Sequence, residues 1–193
     1  GPRDAGPGKI LIANPIDTNG GSFSATLHSH AQGMDGITLQ NQLRTTPSTP
    51  GVNGGSVTIT AHNSYITTDA IDTRGAPGSF ALAGGAGGNV SVSITGGLAA
   101  RAINLGGDIQ TMGGAGADGM PPTDGGAGGS ITIQVGSVGG DTIQFTKLDA
   151  NGGPGGAQLS AGPGSNGGNG SPITLRFLNA SGAIVGNASG ELH

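Results

Sequence analysis

The 193-residue chain has no cysteine and no tryptophan, and it has only one tyrosine and four phenylalanines. Without cysteine it cannot hold a disulfide framework or use thiol chemistry, which is compatible with export in bacteria. The shortage of aromatic residues removes the stacking platforms that bind single-stranded nucleic acid. Its seven lysines and arginines form no basic cluster, so binding to a phosphate backbone is not expected either.

No transmembrane segment is expected, because the long uncharged run at residues 75–100 is too rich in glycine, serine and threonine to cross a bilayer. The chain begins with Gly1-Pro2, which is typical of the remnant left by a tag-removing protease. We therefore expect an excised piece of a longer protein, from which any targeting segment has been lost.

What the chain has in abundance is glycine, with 43 glycines and 11 prolines, a composition often found in disordered proteins. Disorder is not expected here, because short segments carry β-branched residues in strict alternation. These apolar sets are Val57/Ile59, Val90/Val92/Ile94, Ile131/Ile133/Val135 and Ile173/Leu175/Phe177. Glycine every few residues costs close to ~1 kcal/mol each in a helix interior, so the pattern predicts an all-β fold.

Two landmarks recur along the chain. The first reads Ile-Asp-Thr or a variant of it, and its copies begin at Ile16, Ile71, Ile109 and Leu148; the last three lie 38 and 39 residues apart (71 to 109, 109 to 148). The second reads Gly-Gly-Ser-Val-Thr-Ile or a variant, and its apolar positions Val57, Val90, Ile131 and Ile173 are spaced by 33, 41 and 42 residues. Because two independent landmarks keep nearly the same period, the chain is built from repeats.

Short strands repeating at this period predict a parallel β-helix, a solenoid in which like residues stack ~4.8 Å apart in successive coils. The alternative is a β-sandwich, which also uses short strands and glycine turns. We expect residues 1–2 to be the tag remnant, 3–55 an atypical N-terminal capping repeat, 56–178 the regular solenoid and 179–193 a C-terminal cap or tail. The long glycine-rich loops between strands are either loose arches or extended polyglycine-like strands packed together, and we favour the ordered form.

The segments Gly-Gly-Ser-Val-Thr-Ile-Thr-Ala (54–61), Gly-Gly-Asn-Val-Ser-Val-Ser-Ile (87–94) and Gly-Gly-Ser-Ile-Thr-Ile (128–133) each follow a glycine passage. In this pattern the chain resembles the passenger repeats of filamentous-haemagglutinin-like exoproteins and autotransporter adhesins of bacteria, over about residues 56–177. The resemblance implies a right-handed parallel β-helix in an exported, elongated surface protein that acts as an adhesin or stalk. The glycine passages of this chain are longer than the corresponding segments of those passenger repeats.

Asp17, Asp72 and Asp149 occupy equivalent positions in three copies of the first landmark, and Gln110 occupies that position in a fourth. Stacked coils would bring them into a column, and paired carboxylates can act as acid and base on a glycosidic bond. The competing interpretation, which we favour, is that each aspartate binds a backbone amide of its own turn. No lysine or arginine is expected near these aspartates to serve as the base of a lyase.

Two further sets of residues are candidate metal ligands. Residues 113–120 fit the Gly-Gly-x-Gly-x-Asp-x-apolar pattern of calcium-binding β-roll repeats, with Asp118 as ligand and Asp124 in the same passage as a second candidate. His28 and His30 would share a strand face and bind a transition metal together with His62 or Asp35. Against these stand a chance match in a glycine-rich loop and a solvated histidine pair.

Together these features predict a non-enzymatic structural or adhesive segment, extracellular or at the cell surface, of a larger bacterial protein. Its polar face and loops would meet glycans, other surface proteins or neighbouring copies, and its solenoid ends could self-associate. The alternatives are a polysaccharide-active β-helical enzyme or carbohydrate-binding module that uses the aspartate face, and a calcium- or ice-binding module. No cofactor is expected unless calcium binds.

Overall fold

The computed structural model describes residues 8–28, 36–97, 100–136, 140–160, 162–178 and 182–192, which contain fifteen β-strands and no helix. The strands are β1 (Ile10–Ile12), β2 (Ile16–Asp17), β3 (Phe23–His28), β4 (Gly36–Leu39), β5 (Leu43–Arg44), β6 (Val57–His62), β7 (Tyr65–Thr68), β8 (Ile71–Asp72), β9 (Val90–Thr95), β10 (Ala102–Leu105), β11 (Ile109–Gln110), β12 (Ile131–Gly136), β13 (Asp141–Asp149), β14 (Ile173–Phe177) and β15 (Gly182–Leu192). The prediction of an all-β chain is confirmed over these residues.

The strands form two parallel sheets of ten and five strands. The larger sheet consists of two ladders, β1-β4-β7-β10 and β2-β5-β8-β11, which the long strand β13 joins because its first half pairs with β10 and its second half with β11. We call β2-β5-β8-β11 the third ladder, because the chain reaches it last in each pass. The smaller sheet runs β3-β6-β9-β12-β14. Each pass of the chain, here called a coil, therefore adds one rung to each of three ladders, an arrangement compatible with a β-helix or solenoid.

Every pairing between these strands is parallel, which the antiparallel sandwich alternative does not predict. The register places like residues on one another. One apolar column of the smaller sheet contains Phe23, Val57, Val90, Ile131 and Ile173. The alternating valines and isoleucines of 57–59, 90–94 and 131–135 are 0–1 % exposed, so they form the core as the alternation predicts.

The segment from Tyr65 to Thr73 is divided by a corner at Asp69-Ala70, so that one sequence segment supplies rungs to two ladders. At this corner the Asp69 amide donates to the Leu39 carbonyl of the preceding coil at 3.0 Å. The corresponding segment before Thr111 turns at residues 106–108. Short strands separated by such corners explain why the alternation of apolar residues breaks within each segment.

The 55-residue interval between Ile16 and Ile71 is two coils, because Leu43-Arg44 pairs with Ile16-Asp17 on one side and with Ile71-Asp72 on the other. Successive coils at this ladder are thus 27, 28, 38 and 39 residues long (16 to 43, 43 to 71, 71 to 109, 109 to 148). The last two coils are longer than the second because both their glycine passages and the connections between their strands are longer, whereas the rungs keep their lengths. The copy at Leu43-Arg44-Thr45 was missed in the sequence because it lacks both aspartate and glycine.

Candidate functional site

The four glycine passages, residues 45–56, 73–89, 111–130 and 150–171, leave the ladders and return as paired extended legs. Within a passage the returning leg donates to the outgoing leg every third residue, with the pairs Gly126–Gly114 and Gly129–Thr111 at 2.8 and 2.6 Å and Gly168–Gly153 and Ser171–Ala150 at 2.8 and 2.9 Å. A three-residue step is that of the polyproline II helix, the conformation of packed polyglycine. The ordered alternative predicted for the glycine-rich loops is confirmed by these bonds.

The same step connects neighbouring passages. Outgoing legs donate to the next outgoing leg through the pairs Gly113–Asn151, Gly116–Pro154 and Gly119–Ala157, at 3.0, 2.8 and 3.1 Å. Returning legs do the same through Gly84–Asp124, Gly87–Ala127, Gly125–Asn166 and Gly128–Asn169, at 2.8 to 2.9 Å. We call this hydrogen-bonded set of eight legs the glycine array.

Glycine is required in the array because the legs lie against each other's backbones. A Cβ atom built on Gly113 would overlap the carbonyl oxygen of Gly126, and one on Gly126 would overlap that of Gly85. Every third residue faces outward and can carry a side chain, which gives the Gly-Gly-x triplets of residues 84–89 and 125–130. This triplet period is the signal in the sequence that identifies the array.

Side chains at the third triplet position accept hydrogen bonds from backbone amides that have no backbone partner within the described part of the array. The Asp118 Oδ1 atom accepts from the Ala157 amide at 2.6 Å, and the Asp124 Oδ1 atom accepts from the Asn166 amide at 2.9 Å. Asn53 and Asn89 do the same for Ala86 and Ser130 at 2.8 and 2.9 Å. The two aspartates predicted as calcium ligands thus hold one coil to the next, in places where asparagine serves equally.

Threonines mark the point where a passage leaves the third ladder. The buried hydroxyl groups of Thr45, Thr73 and Thr111 donate to the carbonyl groups of Gly55, Gly88 and Gly129, at 2.5, 2.7 and 2.5 Å. Each bond joins the first residue of the outgoing leg to the end of the returning leg. The threonine of the first landmark is therefore explained as the clamp that closes the passage.

The aspartates of the first landmark do share a column, but with other residues between them. In register the column reads Asp17, Arg44, Asp72, Gln110, Asp149. Each aspartate accepts from the amide two residues further on: Asn19 at 2.8 Å, Arg74 at 3.1 Å and Asn151 at 3.2 Å. This is the turn-forming role that we favoured in the sequence.

Each of these carboxylates also has a basic partner, contrary to the expectation that no lysine or arginine lies nearby. Asp17 meets Arg44 at 3.3 Å, Asp72 meets Arg74 at 2.8 Å and Asp149 meets Lys147 at 3.5 Å. Only stacking of the coils reveals the first partner, which comes from another coil. The partners of Asp72 and Asp149 lie two residues away in the chain, a spacing that the sequence already shows.

Asp72 is the most constrained of the three. It is 3 % exposed, it accepts Nε and Nη2 of Arg74 at 2.9 and 2.8 Å, and it accepts the Thr46 hydroxyl at 2.9 Å. Burial acts to raise the pKa of Asp72, but the hydrogen bonds and charge of Arg74 together with the Thr46 bond outweigh it, so the pKa is lowered. The Asp72 bond in turn raises the pKa of Arg74.

Arg74 lies where two shallow grooves meet. One, of about 420 Å³, follows the third ladder and is lined by Gln42, Ala70, Ile71, Asp72, Arg74, Asp108 and Gln110. The other, of about 360 Å³, continues along the outgoing legs and contains Thr46, Pro77, Met112 and Pro154. Amide, carboxylate and guanidinium groups of the first groove thus adjoin an apolar floor in the second, and we call the pair the Arg74 groove.

The histidines predicted as metal ligands are only partly within the described residues. His28 is exposed at the end of β3 and stands in register with His62, whose Nδ1 atom lies 3.3 Å from the Thr95 hydroxyl. His30 and Asp35 lie outside the described residues. Within the described ranges, no three histidine or acidic side chains come together as a set that could hold a metal ion.

Hydroxyl side chains cover the outer face of the smaller sheet. One column in register contains Ser24, Thr58, Ser91, Thr132 and Thr174. The adjacent column ends in Gln134 and Arg176, whose side chains bond each other at 2.8 and 3.1 Å. Gln134 and Arg176 therefore interrupt the array of hydroxyl side chains on this face.

No protein-family model, curated protein or solved structure matches this chain significantly. The resemblance to haemagglutinin-like and autotransporter repeats therefore stays a prediction from the sequence. Among the described residues there is no helix long and apolar enough to span a membrane.

Proposed function

We propose that the chain is a right-handed parallel β-helical segment of a larger bacterial surface or secreted protein, extracellular in location, and that it serves adhesion as a rigid, non-enzymatic scaffold. The observation that carries the proposal is the continuity of hydrogen bonding from the ladders into the glycine array. Such continuity gives every coil a stiff lateral plate. Stiffness of this kind is needed in an element that holds a binding surface away from its anchor. The repeat pattern of the sequence supports an exported repeat protein independently.

The ligand we propose is a neutral glycan bound along the Arg74 groove. Sugars are bound by convergent amide, carboxylate and guanidinium groups beside an apolar floor, and the groove presents Gln42, Gln110 and Arg74 next to Met112. The charge of Arg74 is balanced by Asp72, and Asp108 adds a negative charge. Neutral sugars are therefore favoured over uronic or sialic acids.

Binding to a panel of neutral and acidic oligosaccharides tests the proposal. Gln42→Ala with Gln110→Ala removes two amides of the groove, whereas Gln144→Ala removes an exposed amide of β13 that does not line it. We expect neutral sugars to bind and affinity to fall at least about tenfold in the double variant, as a loss of two hydrogen bonds implies, with no change in the control. Equal affinity in all three proteins would remove the groove from the proposal.

The polysaccharide-active enzyme remains the second candidate, and the groove beside Asp72 is the observation in its favour. Its difficulty is that Asp17, Asp72 and Asp149 are each bonded to an amide and paired with a cation. The lowered pKa of Asp72 also opposes its action as a proton-donating acid. Cleavage of a polysaccharide that is lost in Asp72→Asn would support the enzyme. Inertness on a broad panel of acidic and neutral polysaccharides would exclude it.

The calcium and ice alternatives have separate tests. If Asp118 binds an amide rather than calcium, Asp118→Asn should keep the stability of the protein, Asp118→Ala should lower it by about 1 kcal/mol, and a chelator should change neither. Thermal unfolding with and without calcium measures these three effects.

For ice binding the supporting observation is the hydroxyl column at Ser24 to Thr174. Thermal hysteresis that disappears in Thr58→Tyr with Thr132→Tyr would support ice binding.

A further inference from the structure

The exposed large apolar residues of this protein are concentrated at the outer ends of the glycine array. Phe80 is 81 % exposed, Leu159 73 %, Met120 61 %, Leu82 51 % and Val52 42 %. They belong to the turns of four consecutive passages. We call these five side chains the tip ridge.

Hydrogen bonds directly behind the turns hold them side by side. The Gly51 amide donates to Pro77 at 2.8 Å, the Thr123 hydroxyl to Leu82 at 2.9 Å and the Leu159 amide to Gly119 at 3.3 Å. The ridge is thus carried by four turns fixed in order on hydrogen-bonded legs. Side chains that protrude singly from such turns do not fill the core of this protein, and they are placed to contact an apolar partner outside it.

From these exposures the ridge presents on the order of 500 Å² of apolar surface, as large as the largest patch on a typical monomer. Two copies meeting ridge to ridge would bury about 1,000 Å², the lower limit for a specific interface. They would also bring together Asp118 and Asp124, the only charged residues of the four passages besides Arg74, which lies beside the ladder and is paired with Asp72. The small buried area and the repulsion between aspartates both argue against a second copy of the chain as the partner of the tip ridge.

A lipid surface imposes neither requirement. Unsatisfied backbone polar groups are costly in contact with lipid, and in the Phe80 turn the amides of Ser79 and Leu82 donate to each other's carbonyl groups at 3.2 and 2.8 Å. Arg74, the only lysine or arginine of the four passages, lies beside the ladder and is paired with Asp72, so the turns carry no positive charge that would attract anionic lipid. The two acidic residues instead complement the ammonium group of a choline headgroup.

We infer that the tip ridge inserts into the surface of zwitterionic lipid bilayers and so attaches the glycine array to a membrane. Insertion is shallow, since only the turn side chains enter the acyl boundary while the legs stay in water. This activity is separate from glycan binding, which lies on the third ladder, so either can fail without the other.

Flotation with vesicles of phosphatidylcholine tests the inference. We expect the protein to float with these vesicles, and Phe80→Ser with Leu159→Ser to lower the partition coefficient at least about tenfold. The matched control is Leu11→Ser with Val185→Ser, two exposed apolar residues away from the ridge, which should leave binding unchanged. Admixture of phosphatidylglycerol should weaken binding rather than strengthen it.

A second readout uses the absence of tryptophan from the chain. The substitution Phe80→Trp should give a fluorescence maximum that shifts to shorter wavelength when phosphatidylcholine vesicles are added. The inference is overturned by failure to float with phosphatidylcholine, by equal binding of the ridge and control variants, by binding that requires anionic lipid, or by the absence of the fluorescence shift. A soluble dimer that dissociates in the ridge variant would assign the surface to a second copy instead.

Discussion

Position in the triplet decides what a residue of the glycine array can be. The two inward positions of a triplet lie against neighbouring carbonyl groups, whereas the third faces solvent or bonds the next coil. Glycine here is selected for the space that its missing side chain leaves, not for an unusual φ angle. In the triplets of residues 84–89 and 125–130, alanine, asparagine and serine occupy the third position.

Gly126→Ala is therefore expected to destabilise the protein by roughly 2 to 3 kcal/mol, since the added methyl group forces two legs apart. Its neighbour Ala127 is exposed, and Ala127→Ser should change the stability by less than about 0.5 kcal/mol. Denaturant unfolding of both variants makes the comparison. Equal stability of the two variants would mean that the legs are not in contact.

The pairing of Asp72 with Arg74 gives stability a dependence on pH. Because the pKa of Asp72 is lowered in the folded state, its contribution is fully present above the ordinary aspartate value of 3.8 and is lost as the pH falls through the folded value. The stability difference between the parent and Asp72→Asn should thus stay constant down to that pH and shrink below it. Denaturant unfolding at a series of pH values measures this difference. A difference that already shrinks on the way down from neutral pH would contradict the assignment.

At the scale of the element, each coil depends on the closure of its glycine passage. The buried threonine hydroxyl groups close three passages. In the fourth passage Ala150 stands at that position, and the passage is closed by the backbone bond from the Ser171 amide to the Ala150 carbonyl group, at 2.9 Å. The Ser171 hydroxyl instead bonds the carbonyl group of Gly128 in the preceding passage. The passage and its rungs should therefore fold as one unit.

Thr111→Val keeps the shape of the side chain but removes its donor, leaving the carbonyl group of Gly129 with one partner fewer. We expect a loss of about 1 to 3 kcal/mol, with Thr111→Ser close to the parent protein. Thermal unfolding of both variants, together with the parent, measures the effect. A valine variant as stable as the serine variant would show that the hydroxyl does not close the passage.

At the scale of the whole molecule, the sequence predicted the rungs and most of their register, because β-branched residues in alternation have few other ways to be buried. The corners were not predicted, since pairs such as Asp69-Ala70 give no pattern over so short a span. The Leu43-Arg44 rung was not predicted because only Leu43, buried like Ile71, matches the other copies, whereas Arg44 is exposed at the position where Asp72 is buried. Of the candidate sites, the aspartate turns followed from local chemistry, whereas Arg44 beside Asp17 is a product of stacking between coils.

Amide hydrogen exchange across residues 111–130 tests the packed glycine array most directly. The predicted result is a period of three: amides bonded between legs are protected, and those of Ala115 and Ala127, which make no such bond to the described residues, exchange fast. The protected set is Gly113, Gly114, Gly116, Gly119, Thr123, Gly125, Gly126, Gly128 and Gly129. Uniformly fast exchange through the passage, with protection confined to β11 and β12, would contradict the packing of the legs and with it the rigid scaffold.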